Sequence, residues 1–308
     1  MSGGSDGAEA VAVICGPTAA GKSAIAMRLA ARHGRAILVA DSRQVYRRFD
    51  IGTAKPTADE RRRVAHFGVD IADPTTRFSA AQWAENAERV LSEAAAGASP
   101  VVVGGTGMYL RALFEGLFVE PVVDQAHKER LLTWLNARPT EELRRWAAEL
   151  DPVRATLGRA QLLRAVGVAL LTGERISRLH ETRARRPDWR PRYLVVDPGP
   201  TLHGRIGDRL DAMLGSGWLD EVRSLNSLPD DAAAWKATGY RTLRDVVRGI
   251  TSLDEARETI LIETRQYAKR QRTWFRHQLP DERTTRVNPE EPDAVATIDA
   301  WWESVHGA

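Results

Sequence analysis

No stretch of this chain constrains its fold as tightly as Val11-Ala12-Val13-Ile14-Cys15-Gly16-Pro17-Thr18-Ala19-Ala20-Gly21-Lys22-Ser23. An apolar, β-rich run breaks at Gly16-Pro17, passes through the pattern G-x-x-x-x-G-K-S, and enters an amphipathic helix. That helix carries Ala24, Ile25, Met27 and Leu29, with Arg28 and Arg32 outside. Strand, glycine loop and helix N-terminus in that order predict a P-loop. Its backbone N–H groups and the helix dipole make a concave anion site. Lys22 adds a point charge for a diphosphate, and the Ser23 hydroxyl suits Mg2+. The motif specifies a polyphosphate and leaves the rest of the ligand open.

The units that follow repeat the logic. Residues 36–40, Ala-Ile-Leu-Val-Ala, read as a second buried strand, ending in Asp41-Ser42-Arg43-Gln44-Val45-Tyr46. A polar cluster just past a buried parallel strand sits where α/β sheets place their ligands. Val69-Asp70-Ile71 reads as a short strand. Ser79, with Gln82 three residues on, forms a capping-box pattern for a helix to about residue 96. Val101-Val102-Val103 is a third buried strand, followed at once by Gly104-Gly105-Thr106-Gly107 and a helix over 108–115. These glycines leave room for a ligand to approach the backbone. The alternation predicts an α/β fold, a P-loop-type parallel sheet flanked by helices.

From about residue 118 the texture changes. Residues 118–190 are Arg/Glu/Trp-rich and strand-free. Leu131, Trp134, Leu135, Leu143, Trp146 and Leu150 recur at helical spacing, so an all-helical subdomain is expected there. The expected organisation is a first core part over 1–117, the helical insertion over 118–190, and core completion over 191–308. Residues 187–191 form the return linker and 193–196 the next strand. Helices follow over 202–216, with Arg205 and Arg209 on one face, then over 218–225 and over 253–277.

Bulk properties exclude several classes. The chain has 308 residues, 43% of them hydrophobic and 28% charged, as in a globular protein with a real core. No run approaches a membrane span, and residues 1–10 lack a signal pattern and read as disordered. A cytoplasmic monomer without a membrane partner is expected. The single cysteine, Cys15, excludes an internal disulfide and a cysteine-based zinc site and reads as a buried filler. A net charge of +3 says little about nucleic acid. Its distribution says more, because basic clusters recur at 61–63, 183–192 and 269–276.

Seven motifs in register then point to a family: GPTAAGKS at 16, DSRQVY at 41, IGTAKP at 51, GGTGMYLRAL at 104, HGRIGDRLDAMLGSGWLDEV at 203, KATGYR at 236 and TRQYAKRQRTWFR at 264. The chain resembles the bacterial tRNA dimethylallyltransferases (tRNA isopentenyltransferases, the IPP transferase family). The resemblance implies transfer of the dimethylallyl group of dimethylallyl diphosphate to N6 of the adenosine 3′-adjacent to the anticodon, in tRNAs reading codons that start with U. Mg2+ is the implied cofactor. The tRNA anticodon stem-loop and dimethylallyl diphosphate are the implied partners.

The chemistry tests the residues. An allylic diphosphate leaving group needs cationic donors and Mg2+ on its oxygens. The resemblance places it in the 16–23 loop, with Lys22, Ser23 and Arg205 as candidates and Arg209 as second choice; a surface arginine pair is the competing reading. An exocyclic amine needs a base. Asp41 matches the proposed general base, and an Asx-turn or N-cap aspartate is its plainer reading. Thr106 is expected near the same amine, with a turn hydroxyl as alternative. The target base must leave its stack. By resemblance, tRNA contacts fall at Asp41, Ser42, Arg43, Gln44 and Thr106, at Lys236, Gly239, Tyr240 and Arg241, and at Lys269, Arg270, Gln271, Arg272 and Arg276. Lys128 falls where the family has arginine, keeping charge but losing the bidentate fork. The stretch around Arg164 departs from the family pattern, with Gly167 in place of the usual glutamate.

Three rivals make different demands. A non-enzymatic RNA-binding protein that kept the fold has no need of Lys22, Asp41, Thr106 and Arg205, all of which are intact. An adenylate dimethylallyltransferase acting on free AMP needs neither the insertion nor the basic C-terminal helix. A P-loop kinase or NTPase needs an acidic residue where the 101–103 strand instead meets Gly-Gly-Thr.

Overall fold

The computed structural model describes residues 9–94, 98–116, 124–182 and 189–306. Of the stretch expected to be disordered over 1–10, residues 1–8 lie outside them, as do the boundary near 117 and much of the 183–192 basic cluster, whereas Glu9 and Ala10 already belong to the first strand, where they pair with Trp189 and Arg190. The chain divides into two compact units, Met1–Phe114 with Asp188–Ala308, and Glu115–Pro187.

The first unit opens with β1 (Glu9–Cys15), α1 (Lys22–His33), β2 (Ile37–Val39), α2 (Ala58–Arg63), β3 (His66–Phe67), α3 (Ala80–Ser92), β4 (Val101–Gly104) and α4 (Gly107–Phe114). The second unit holds α5 (Gln125–Asn136), α6 (Thr140–Leu150), α7 (Arg159–Thr172) and α8 (Ile176–Thr182). The first unit resumes with β5 (Trp189–Val196), α9 (Leu202–Gly215), α10 (Trp218–Leu225), α11 (Tyr240–Val247), α12 (Leu253–His277), β6 (Thr284–Val287) and α13 (Ala294–His306). No described helix is long and apolar enough to cross a membrane.

The sheet is parallel, in the order β3-β2-β4-β1-β5-β6. Val11 to Cys15 form an unbroken buried run, as a strand covered on both faces requires. One face packs on α1 and on α13, through Leu29, Val103, Leu194, Trp301 and Trp302. On another side, Trp83 of α3 stacks on Tyr109 of α4 at 4.7 Å and donates to the Val39 carbonyl. The capping box at Ser79 and Gln82 is present, and Cys15 is buried, its thiol pushed up to about 12 by desolvation.

Three expectations shift. The strand assigned to residues 69–71 lies instead at His66–Phe67. Gly68 and Asp70 have φ of +77° and +58°, which breaks an extended run. β5 begins at Trp189, so Pro191 is inside it. Its partner β6 starts only opposite Tyr193, so Pro191 has a ladder neighbour on one side and its missing N–H breaks no bond. β6 itself was not anticipated. It is an edge strand reading T-T-R-V, polar on the side that solvent reaches.

The helical unit has its own core of Leu135, Leu143, Ala147, Leu162 and Val166, bordered by Leu131, Trp146 and Leu150. Trp134 and Trp146 stack at 5.3 Å. Gly167 is buried in α7, where an added Cβ would meet Leu132 and Leu135 at ordinary contact distance.

Candidate active site

A pocket of about 190 Å³ opens at the carboxyl ends of β1, β2 and β4, walled by α9 and α12. This is the ligand crevice of an open parallel sheet. Its floor is the 16–23 loop. Gly16 has φ +140°, and a Cβ there would lie 2.2 Å from the Val196 carbonyl oxygen, so only glycine lets β1 turn beside β5. Ala19 adopts φ +60° and Gly21, at +94°, caps α1. Pro17 and Ala20 complete the turn. Thr18, Ala19, Lys22 and Ser23 line the pocket.

The floor is positive and poorly compensated. Lys22 Nζ donates to the Pro17 carbonyl at 2.5 Å, and Arg209 makes no ion pair among the described residues. Burial and then the Arg209 charge bring the Lys22 ammonium down to about 8. Burial also lowers Arg209, against the pull of Asp41. Two cations held together, each only partly reached by solvent, call for an anion.

The two arginines divide differently from expectation. Arg209 lines the pocket. Arg205 does not: its Nε donates to the Ala19 carbonyl at 3.1 Å and its Nη1 pairs with Glu290 at 2.5 Å. It clamps the loop from behind, with Nη2 packed where a Gly21 Cβ would be.

Asp41 enters the pocket just past β2. Its Oδ1 accepts from the N–H groups of Arg43 (2.8 Å) and Gln44 (3.4 Å), the Asx-turn of the plainer reading. Oδ2 makes no hydrogen bond among the described residues. The Thr106 hydroxyl accepts from the Ser42 N–H at 3.1 Å and bonds Tyr267. Tyr267 was missed by sequence reasoning, although it sits in the TRQYAKRQ motif. It lines the pocket, and burial plus the Asp41 charge push its phenol up to about 12. Arg43 and Gln44 also line it, Gln44 Nε2 holding the Thr53 and Ala54 carbonyls.

Several expected tRNA contacts prove to be internal. Gln271 is buried; it accepts from the Thr18 N–H and donates to the Gly105 carbonyl, each at 2.8 Å. Arg272 binds Asp197 and the Gly199 carbonyl, tying α12 to the end of β5. Tyr240 is fully buried, its hydroxyl donating to Glu221 at 2.5 Å and accepting from the Gly52 N–H. Gly239, at φ +84°, is packed against Trp218. These groups are spent on the fold. The expected room at Gly104, Gly105 and Gly107 is likewise filled, by the Ala40 carbonyl, the Gln271 amide and the Trp274 ring. Lys236, Arg241, Lys269, Arg270 and Arg276 are exposed. Lys128 and Arg164 lie on α5 and α7 of the helical unit, half-buried and exposed respectively.

Among the described residues no cluster of three His, Cys, Asp or Glu could hold a metal. The donor set is a single hydroxyl, Ser23, at a phosphate cradle. That fits Mg2+, which takes one or two protein ligands and completes its shell with water and phosphate oxygens.

One pH effect follows. A bound anion favours the Lys22 ammonium, whereas the free protein loses that proton above about pH 8. Pyrophosphate affinity therefore falls as pH rises through 8, by up to about tenfold per pH unit relative to Lys22→Arg, whose charge does not titrate. Calorimetry of both proteins across the range checks this.

A family model described as "IPP transferase" matches residues 44–278, and one described as "Isopentenyl transferase" matches residues 9–70. A tRNA dimethylallyltransferase of Geobacter metallireducens is 42% identical over 276 residues, covering 86% of this chain and 88% of that protein. One from Cyanothece is 41% identical over 270 residues, with the same coverage. The crystal structure of a tRNA isopentenylpyrophosphate transferase from Staphylococcus epidermidis superposes with TM-score 0.68 and 27% identity, covering 97% of this chain and all of that one. A eukaryotic dimethylallyltransferase described as acting on tRNA gives TM-score 0.76 at 25% identity, over 95% of this chain and 77% of its own.

Proposed function

Because this chain belongs to the IPP transferase family, we propose that it moves the dimethylallyl group of dimethylallyl diphosphate onto N6 of the adenosine 3′-adjacent to the anticodon, in tRNAs reading codons that start with U. The observation that carries the reading is one pocket holding both halves of that chemistry. Lys22 and Arg209 supply positive charge that only Asp41 partly offsets, Asp41 supplies an available carboxylate oxygen, and Met27, Val39, Ile206, Leu210 and Met213 supply an apolar lining.

The diphosphate sits on the 16–23 loop, held by its backbone amides, Lys22 and Arg209, with Arg205 fixing the loop. The Ser23 hydroxyl would hold Mg2+, which would supply further positive charge beside the diphosphate. The N6 lone pair forms a bond to C1 of the prenyl group as the C1–O bond breaks. That electron pair leaves with diphosphate, whose growing charge Lys22 and Arg209 stabilise. Asp41 Oδ2 takes the N6 proton. Thr106 and Tyr267 are placed to hold the adenine edge near Asp41. The enzyme works as a cytoplasmic monomer.

Incubation with radiolabelled dimethylallyl diphosphate and either bulk tRNA or AMP tests this. Label in tRNA is expected. Label only in AMP makes the protein an adenylate prenyltransferase, and ATP turnover without transfer makes it an NTPase.

The basic face of α12 with Lys236 and Arg241 is the proposed tRNA contact of the first unit, and Lys128 and Arg164 are those proposed within the helical unit. Phosphate contacts make such binding salt-dependent. Replacing Lys269, Arg270 and Arg276 with alanine should raise KM for tRNA about tenfold and flatten its salt dependence, leaving KM for the prenyl donor unchanged. Equal effects on both substrates contradict an RNA-facing role.

A further inference from the structure

We propose that Gln271 is a positioning residue that links the diphosphate loop to the 104–107 loop, so that occupancy of the first is felt at the second. Its side chain is 6% exposed and bridges segments 253 and 166 residues away in sequence. Each partner has fixed polarity. The Thr18 N–H can only donate and the Gly105 carbonyl can only accept, so one planar amide in one orientation satisfies both. A Cβ at Gly105 would lie 2.2 Å from Nε2, so the 104–107 loop is shaped around this amide.

The linked loops carry different halves of the reaction. Thr18 belongs to the donor cradle. Gly105 precedes Thr106, which bonds Ser42 beside Asp41. The same helix face grips the acceptor loop again, where Trp274 packs against Gly107. Only α12 touches both loops through a side-chain hydrogen bond among the described residues. A rise or tilt of the donor loop on binding an anion is therefore carried through Gln271 to the acceptor loop. This rests on the function proposed above, because it needs both halves of the transfer in one pocket.

The chemistry of the amide supplies the test. Glutamate at this position accepts from Thr18 but, when ionised, repels the Gly105 carbonyl. When protonated it donates there and mimics glutamine. Lys22, Asp41, Arg43, Arg209 and Tyr267 share its pocket, and Arg272 on its own helix is paired with Asp197. The wild-type rate has its own pH dependence, so the informative quantity is the ratio of variant to wild-type kcat at each pH.

For Gln271→Leu, kcat should fall about 100-fold with KM for the donor within about threefold, since misplacement by about 1 Å costs that much. For Gln271→Glu, the kcat ratio should rise at least about tenfold between about pH 8 and about pH 5.5. A second readout does not depend on transfer. In the wild type, inorganic pyrophosphate should slow hydrogen exchange at the 104–107 amides; in Gln271→Leu that protection should vanish while pyrophosphate still binds. A pH-independent ratio, or protection that survives in Gln271→Leu, overturns the proposal. Absence of transfer by the wild type overturns the function and leaves the exchange experiment to judge the link.

Discussion

Asp41→Asn should lower transfer to tRNA by about 10³-fold while pyrophosphate binding stays within about threefold of wild type. The geometry makes asparagine the decisive substitution. Asp41 Oδ1 anchors the turn by accepting from Arg43 and Gln44. The asparagine carbonyl keeps those bonds, so the turn survives. What is lost is a basic oxygen at Oδ2, and with it the acceptor for the N6 proton. Asp41→Ala removes both functions and should be equally inactive but less well folded locally. Near-normal turnover in the asparagine variant shows that Asp41 is a turn residue and nothing more. The carboxylate also favours the charged forms of Lys22 and Arg209, so donor affinity in either variant should weaken modestly above neutral pH.

Lys22→Met should cut kcat/KM by about 10²–10³-fold, the typical effect of losing one preorganised donor to a developing anion, while making the unliganded protein more stable. The two signs have one cause. Folding brings the ammonium from its ordinary 10.5 to about 8. At about 1.4 kcal/mol per pH unit, keeping it charged costs the empty fold ~3 kcal/mol. The folded pKa lies below the unfolded one, so this penalty is fully present below pH 8 and shrinks as pH rises to 10.5. Thermal denaturation should show Lys22→Met melting higher than wild type at pH 7 and converging with it toward pH 10.5. Added pyrophosphate should reverse the order at pH 7, because only the wild type gains a partner for the charge. A lower Tm without ligand would mean that Lys22 supports the fold rather than waiting for an anion.

Local signals made much of this legible in the linear chain. The 11–23 stretch needs only its own residues to read as strand, turn and helix, and the ladder ends at Cys15, just before Gly16, where that reading requires. Ser79 with Gln82, and the limits of α12, follow from hydrogen bonds within four residues. Asp41 could be set beside the crevice because it ends a buried strand. The failures share a different character. Arg205 and Arg209 are one helical turn apart on the same face, and only the seat of α9 against the loop decides that Arg209 enters the pocket while Arg205 locks the Ala19 carbonyl. Along α12, Lys269, Arg270, Gln271, Arg272 and Arg276 read as one basic run. Helical phase turns Lys269, Arg270 and Arg276 outward, Gln271 into the pocket and Arg272 onto Asp197.

Sequence by itself thus determined the anion cradle, the parallel sheet that presents it and the carboxylate at the next strand's end. Each is encoded in contiguous residues whose preferred conformations leave one outcome. Tertiary structure alone decided which cations face the pocket, why Gly104, Gly105 and Gly107 must lack side chains, and that one buried amide joins the two loops. Those facts depend on what segments as far apart as 253 residues pack against, and a partner that distant leaves no mark on the local pattern.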